Sequence, residues 1–177
     1  TIINLANSKI YSKDEFLHYL NEETLKPHYE SKIKGVHNDS IAAKYWTDYA
    51  NYGVLPYRRG CIFAFYLDNQ IRLESNGKFT LRNMLLDLYE VRKIKKEGEI
   101  LTVDDFIDVG GAYIDREELS EQIKRHMIDG QPIDFKNVKV LSDGSVIDNF
   151  SDLIFTSFTK LAFVLLFSNS AEELVVT

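Results

Sequence analysis

The feature that most constrains the fold is a long helix pattern in the middle of the chain. Pro56 suits the first turn of a helix, because its missing N–H would have no partner there, and Asn76-Gly77 can end the pattern after Ser75. The spacing predicts a helix of about 20 residues, or roughly 30 Å. Its first half is apolar on almost every side, with residues 62–67 apolar in succession. Such a helix belongs in the centre of a bundle.

Two shorter helix patterns precede this central helix. Ser12-Lys13-Asp14-Glu15 has the form of a capping box and predicts a first helix from about residue 13 to about residue 32. Pro27 lies inside that span and predicts a kink or a break into two helices, because proline removes a backbone donor. Asn38-Asp39-Ser40 can cap a second helix, which we expect over Ile41 to Tyr49.

Three more helix patterns follow the central one, each beginning at a side chain that can accept a hydrogen bond from the free N–H groups of a first turn. These caps are Thr80, Thr102 and Asp115. The fourth helix ends in the basic run 92–96, which suits the negative end of the helix dipole, and we interpret the run as solvated. Gly110-Gly111 ends the fifth helix and Gly130 ends the sixth.

The pattern changes after Pro132. Valines at 138 and 140, a Ser142-Asp143-Gly144 turn and the pair Val146-Ile147 predict a β-hairpin. The apolar segment 153–167 fits either a buried helix or strands. We therefore predict a mainly α fold, an array of about six helices with a small β-hairpin-like or irregular C-terminal appendage. Residues 1–135 form the helical region of this prediction, and residues 136–177 form the appendage.

Charge and cysteine content exclude several classes of function. The 21 basic and 27 acidic side chains give a net charge of −6, which argues against nucleic acid as a partner. Cys61 is the only cysteine, so an internal disulfide framework and a multi-cysteine zinc site are both excluded. Its apolar neighbours favour a buried small residue over a nucleophile.

The start of the sequence and its most apolar segment were read for signal-peptide and membrane-span patterns. No charged region followed by an apolar region opens the chain, so we see no signal peptide and assign no compartment. The start at Thr1 without Met is interpreted as a piece of a longer chain. Segment 153–167 is short for a bilayer span and is interrupted by polar residues, so we expect no membrane span.

The histidines do not form a metal-binding pattern. No pair has the i, i+4 spacing that places two imidazoles on one helix face, and HExxH does not occur. We therefore predict no zinc site in this chain and interpret each histidine as a surface or boundary residue. The four are His18, His28, His37 and His126.

One stretch, Asn51 to Gly60 with the sequence NYGVLPYRRG, places two tyrosines around a Gly and a Pro. A phenol held at the start of a buried helix, on a chain fixed by Pro56, is preorganised to donate a hydrogen bond to a developing oxyanion. The alternative is that Tyr52 and Tyr57 are core aromatics among ten Tyr and eleven Phe.

The same stretch resembles the Tyr-x-x-x-(Pro)-Tyr-x-x-Gly element of zinc aminopeptidases that combine HExxH with a distal Glu ligand, including the aminopeptidase N family. The wider pattern is closer to the glycyl aminopeptidase family, and the likeness extends over residues 10 to 135 in the same order. The similar pieces are Tyr57-Arg-Arg-Gly60, Leu67-Asp68-Asn-Gln-Ile71-Arg72, Gly77-Lys-Phe-Thr80-Leu81, Met84-Leu-Leu-Asp-Leu-Tyr89, Thr102-Val-Asp-Asp-Phe106 and Asp129-Gly130-Gln131-Pro132-Ile133.

The resemblance implies specific roles for the two tyrosines. Tyr57 matches the catalytic tyrosine that is expected to hydrogen-bond the oxyanion formed when zinc-bound water attacks the scissile carbonyl. Tyr52 is implied to be a substrate-binding neighbour. HExxH and the glutamate ligand belong upstream of Thr1, so the resemblance implies no cofactor in this chain and zinc in the full-length protein.

The partners implied are the upstream zinc-binding part of the same polypeptide and, in the whole enzyme, a peptide substrate. This chain alone is not expected to hydrolyse peptides. The alternative is a metal-free helical protein-interaction module on a peptidase-like scaffold, with segment 153–167 seeking a partner or forming a dimer.

Overall fold

The computed structural model describes residues 15, 18–96, 98–135, 140–142 and 145–147. Two segments, the π-helical Tyr19–Leu25 and the α-helical Lys26–Glu30, together form helix α1. The next helices are α2, Asn38–Lys44; α3, Leu55–Glu74; α4, Leu81–Ile94; and α5, Val103–Gly110. Helix α6 is the α-helical Arg116–Gln122 continued by the π-helical Ile123–Ile128. A π-helical turn, Tyr49–Gly53, lies between α2 and α3.

A short hairpin follows the helices. Strand β1, Val140–Ser142, pairs antiparallel with β2, Ser145–Ile147, and Leu141 lies opposite Val146. The mainly α fold with a β-hairpin-like appendage is confirmed. The first capping box, apart from Glu15, and the apolar segment 153–167 lie outside the described residues.

Helix α3 is the central helix that its apolar pattern predicts. Its residues are buried along most of its length, and Leu67 and Ile71 are almost completely inaccessible. Met84 of α4 and Leu119 of α6 are fully buried in the same core. The core also contains Leu20, Leu25, Ile62, Phe63, Phe65, Ile107, Ile114, Ile123, Ile133 and Phe135. The other helices therefore surround α3 because they bury their apolar stripes against it.

Asp68 connects α3 to the start of α4. One of its carboxylate oxygens lies 2.7 Å from Arg72 Nε, and the other accepts a hydrogen bond of 2.7 Å from the N–H of Leu81. Leu81 is the first residue of α4, so its N–H would otherwise have no partner within that helix. Two pieces of the aminopeptidase-like pattern, Leu67 to Arg72 and Gly77 to Leu81, therefore meet at Asp68.

Arg59 connects α3 to two other parts of the chain. Its guanidinium is buried and donates hydrogen bonds to the carbonyl oxygens of Val36 at 2.8 Å and Met127 at 3.4 Å. Gly130, with φ +78°, passes beside this group, and a Cβ there would overlap the Val36 oxygen. The pieces Tyr57 to Gly60 and Asp129 to Ile133 therefore also meet.

The predicted bounds of the second helix are wrong. Helix α2 begins at Asn38 and ends at Lys44, whereas the prediction was Ile41 to Tyr49. It begins early because His37 is the cap, and its Nδ1 accepts a hydrogen bond of 3.2 Å from the N–H of Asp39. The chain then turns before the π-helical turn.

The break expected at Pro27 takes the form of a change in helix type. Proline is the second residue of the α-helical segment, directly after the π-helical one, where its missing N–H is tolerated. The backbone becomes extended at Ser31, so α1 ends at Glu30. Among the described residues, no helix is both long and apolar enough to cross a membrane.

Candidate functional site

The two tyrosines of the NYGVLPYRRG stretch lie in opposite environments. Tyr57 lies in the first turn of α3 and is 68% exposed. Tyr52 lies in the π-helical turn and is 7% exposed, packed with Ile41 and Leu55. Tyr52 is therefore a core aromatic residue, as the alternative interpretation held, whereas Tyr57 is not.

Tyr52 is a supporting residue of this loop. Lys44 Nζ lies 3.3 Å from the Tyr52 hydroxyl oxygen, to which it can donate, and 5.1 Å from the centre of the ring. This contact ties the end of α2 to the loop. Leu55, 2% exposed, fixes the start of α3 in the same small cluster. Burial leaves the substrate-binding role implied for Tyr52 with little surface for direct contact.

Tyr57 belongs to an aromatic surface that we call the tyrosine face, formed by Tyr45, Trp46, Tyr49 and Tyr57. The Tyr45 ring lies 4.8 Å from that of Trp46 and 5.5 Å from that of Tyr49, nearly perpendicular to both. Tyr57 lies near enough to Tyr45 to raise the pKa of the Tyr45 hydroxyl. Trp46 is 84% exposed and Tyr49 is 52% exposed, so the face is open to solvent.

The neighbouring Tyr57 hydroxyl raises the pKa of Tyr45 to about 12, with further contributions from burial and from Tyr49.

The loop that carries the tyrosine face is closely packed. The N–H of Tyr52 donates to the carbonyl oxygen of Asp48 at 2.9 Å, and the Asn51 side-chain amide donates to the Asp48 carboxylate at 2.9 Å. The Tyr49 ring packs over Gly53, where an added Cβ would lie 2.7 Å from Tyr49 Cγ. Glycine at 53 is therefore required for Tyr49 to adopt its position.

The described residues do not fit a zinc ion. No group of three or more His, Cys, Asp or Glu side chains in this part of the chain lies close enough to hold a metal. Burial raises the pKa of the half-buried Cys61 thiol, which disfavours the reactive thiolate. His126 has Nδ1 2.7 Å from the carbonyl oxygen of Gln131 and lies beside the rings of Phe63 and Tyr66. His126 therefore has a packing role.

His28 is buried, so its interpretation as a surface or boundary residue is wrong. It is 3% exposed and packs edge-on against Tyr29, with ring centres 5.3 Å apart. Burial lowers the pKa of His28 to about 4, and the nearby cations Arg59, Lys34 and Arg58 lower it further. His28 is therefore neutral at physiological pH and belongs to the core.

The sequence pattern placed Tyr45, Trp46 and Tyr49 on one helix and did not predict that Tyr45 lies near Tyr57. The signal that was available is the series of turn residues at Asp48, Asn51 and Gly53, which interrupts the aromatic residues. Turn residues at these positions predict that the chain folds back before Pro56. The rings before and after the turn then come together.

Comparisons of the chain with protein families, with curated proteins and with solved structures found no match. The functional proposal is therefore supported by the tyrosine face, by the packing of the motif residues and by the sequence resemblance.

Proposed function

We propose that this chain is the C-terminal part of the catalytic region of a zinc-dependent aminopeptidase and that Tyr57 is its catalytic residue. The observation that carries the proposal is the exposed side chain of Tyr57 in the first turn of the buried helix α3. A side chain at that position can donate to an oxyanion beside it, because the turn is held in place by Leu55 and Arg59. Tyr52 packs in one cluster with Leu55 at the start of this helix.

The helix itself favours an anion near Tyr57. Helix α3 has 20 residues, and its first turn presents N–H groups that have no partner within the helix. The aligned peptide dipoles place a partial positive charge at this end. A negatively charged oxygen near the Tyr57 hydroxyl therefore lies in a favourable potential before the hydroxyl donates to it.

The motif pieces also have structural roles consistent with the proposal. Asp68 with Arg72 fixes α4 against α3, and Arg59 with Gly130 fixes the end of α6 against the same helix. Residues far apart in the sequence thus hold one scaffold that supports Tyr57. The sequence resembles the glycyl aminopeptidase family in the order and spacing of these residues. Such a likeness is expected if the two share a scaffold.

Zinc binding belongs, in this proposal, to the upstream part of the polypeptide. Because the described residues do not fit the metal, no catalytic step through zinc is assigned to this chain. The role of this chain is to supply the Tyr57 hydroxyl and one wall of the peptide site. The exposed aromatic rings of the tyrosine face would contact the upstream part or the substrate.

The experiment is to extend the reading frame upstream of Thr1, express the complete polypeptide and measure hydrolysis of aminoacyl-p-nitroanilides. N-acetylated versions of the same substrates are the matched control, because an aminopeptidase requires a free amino terminus. The proposal predicts HExxH in the upstream region and hydrolysis of the free-amine substrates that a zinc chelator abolishes. A complete polypeptide without HExxH, or without this hydrolysis, would overturn it.

A second candidate, a metal-free interaction module, is favoured by one observation on α4. Leu85, Leu86 and Tyr89 are each about half exposed, at 47%, 46% and 57%, on the outer side of this helix. An exposed apolar surface of this kind is typical of protein-binding sites. Light scattering tests it: a dimer that Leu86→Lys converts to a monomer supports the module, and a wild-type monomer argues against self-association.

A further inference from the structure

We infer that the outer side of helix α4 is the docking surface for the chain's own C-terminal segment, residues 153–177. This surface, the α4 outer face, is formed by Leu85, Leu86, Tyr89, Arg82 and Arg92. The inference is independent of the proposed function, because it concerns how the chain covers an apolar surface of its own. It is supported by the side chains of α4, the composition of the segment and the length of chain that connects them.

Three apolar side chains of α4 lie together on the solvent side of the helix. Leu85, Leu86 and Tyr89 are each about half exposed, whereas Met84 is fully buried in the core. At about 100° per residue, the three fall within a sector of about 100° on the side away from Met84. Residues three and four apart on a helix are neighbours, so both leucines flank Tyr89. They form a continuous apolar surface that the described part of the chain leaves half open.

Two unpaired cations belong to the same surface. By the same helical spacing, Arg82 falls inside the apolar sector and Arg92 falls at its edge. Both side chains are exposed, and neither forms an ion pair within the part of the chain that the structure describes. Lys93 lies on this side too, but its Nζ is 2.7 Å from Glu90 Oε1, so that pair adds no net charge. The α4 outer face is therefore both apolar and positively charged.

The C-terminal segment lies outside the described residues, and its sequence has the complementary composition. Residues 153–167 are apolar apart from Thr156, Ser157, Thr159 and Lys160. Asp152 directly precedes this apolar part, and Glu172 and Glu173 follow it. Lys160 is the only basic residue from 153 to 177. Burial of the apolar part is favourable on any apolar surface, and the acidic residues select the surface that carries free cations.

The chain that connects the two is long enough. Strand β2 ends at Ile147, and the six residues from there to Leu153 span up to about 20 Å when extended. Strand β1 packs against α3, and α4 packs against α3 as well. A helix with its side chains is about 10 Å across, so 20 Å extends from the hairpin past α3 to α4. The segment therefore reaches the α4 outer face without any change in the described part of the chain.

Photo-crosslinking of the 177-residue chain tests which segment covers α4. The photoreactive amino acid p-benzoylphenylalanine replaces Tyr89, and in a matched control it replaces Trp46, which is exposed on the tyrosine face. After irradiation and digestion, mass spectrometry is expected to find residues 153–177 linked to position 89 and not to position 46. Links from position 89 only to other parts of the chain, or equal yields from both positions, would overturn the inference.

A second copy of the chain is the competing occupant of the α4 outer face. Irradiation of a mixture of ¹⁵N-labelled and unlabelled chains distinguishes the two. Docking within one chain gives linked peptides that are both labelled or both unlabelled. Linked peptides of mixed isotope composition would show that a second copy occupies the face, and would overturn the inference.

Charge reversal tests the complementarity in the same assay. Arg82→Glu combined with Arg92→Glu is expected to lower the yield of the link from position 89 about three- to tenfold, because attractive pairs become repulsive. Adding Glu172→Arg and Glu173→Arg should restore the yield.

The matched control is Lys32→Glu combined with Lys124→Glu, which reverses two exposed cations away from α4 and should leave the yield unchanged. A yield that does not respond to the reversal on α4, or that the exchange of charges does not restore, would overturn the inference.

Discussion

Gly130 lies at a position where both the backbone angle and the neighbouring atoms disfavour a side chain. Its φ of +78° lies in the left-handed region that favours glycine, and a Cβ there would lie 2.8 Å from Arg59 Nη2 in addition to overlapping the Val36 oxygen. The glycine that the motif contributes is therefore needed for two independent reasons. One is the backbone angle and the other is the close approach of three chain segments.

A comparison of Gly130→Ala with Gly98→Ala separates the cost of the backbone angle from the cost of the close approach. Gly98 has a similar φ of +89°, but an added Cβ meets nothing within 4 Å. Gly98→Ala is expected to lower the free energy of unfolding by about 1–2 kcal/mol from backbone strain alone. Gly130→Ala should lower it by about 2 kcal/mol more, because Arg59 and Val36 must also move. Urea unfolding measures both, and equal losses would contradict the close approach described here.

Local sequence rules could not predict which of the two candidate tyrosines is exposed. Tyr52 and Tyr57 belong to one motif and have the same chemistry, and local rules around Pro56 predict only where the helix begins. Their exposure depends on which side of the loop packs against α2, through Ile41 and Lys44. Such contacts depend on tertiary structure, which a pattern of neighbouring residues does not contain.

Helices α3 and α4 depend on one buried carboxylate. Asp68 and Arg72 are almost fully buried, and Asp68 is also the acceptor for the first N–H of α4. Hydrophobic periodicity predicted both helices, and cap residues predicted where α4 begins, because these are local signals. The contact between Asp68 and Leu81 spans 13 residues and was not predicted.

Asp68→Ala is expected to lower the free energy of unfolding by about 3–5 kcal/mol, because it leaves the buried Arg72 without its partner. The matched control is Asp108→Ala, which removes an exposed ion pair with Arg116 at 2.6 Å. Its expected cost is about 0–1 kcal/mol. Thermal or urea unfolding of both variants measures the difference, and similar small losses would show that Asp68 does not couple the helices.

Alanine substitutions of Gly60 in α3 and Gly110 in α5 are expected to change the free energy of unfolding in opposite directions. A Cβ at Gly60 meets nothing within 4 Å, so Gly60→Ala should raise the free energy of unfolding of this chain by about 0.5–1 kcal/mol. A Cβ at Gly110 would overlap Leu119 and lie 2.9 Å from Met84 Cε, so Gly110→Ala should destabilise the chain. Unfolding curves that shift in the same direction for both would contradict the packing of α3 or α5.

At the scale of the whole molecule, a buried histidine makes stability depend on pH. His28 has its pKa lowered from 6.5 to about 4, so as the pH falls through this interval the unfolded chain binds a proton that the folded chain does not. The free energy of unfolding should therefore fall by about 3 kcal/mol between pH 6.5 and pH 4. Well above pH 6.5, where the unfolded histidine has also lost its proton, His28 contributes no pH dependence.

Urea unfolding of wild type and His28→Gln at a series of pH values tests this expectation. The substitution should reduce the loss of stability in this interval. His18→Gln, at an exposed position, is the control and should keep the wild-type dependence. A His28→Gln curve parallel to that of the wild type would show that other groups carry the acid sensitivity.

The overall architecture was largely predictable, whereas the arrangement of the site was not. The central position of α3 follows from its apolar sequence, and the hairpin follows from turn residues around Asp143. The bounds of α2 and the burial of His28 were missed, because His37 and His28 act through specific contacts. The tyrosine face combines residues on both sides of a turn, so it emerged only with the fold.

Steady-state kinetics of the complete polypeptide carrying Tyr57→Phe, with Tyr52→Phe as the matched control, test the catalytic role of Tyr57 most sharply. We expect Tyr57→Phe to lower kcat by about 10²–10³, or about 3 kcal/mol in transition-state energy, with KM little changed. Tyr52→Phe should retain kcat to within about tenfold, because its hydroxyl contacts Lys44. An unchanged kcat in Tyr57→Phe would remove Tyr57 from the mechanism and contradict the catalytic role proposed for it.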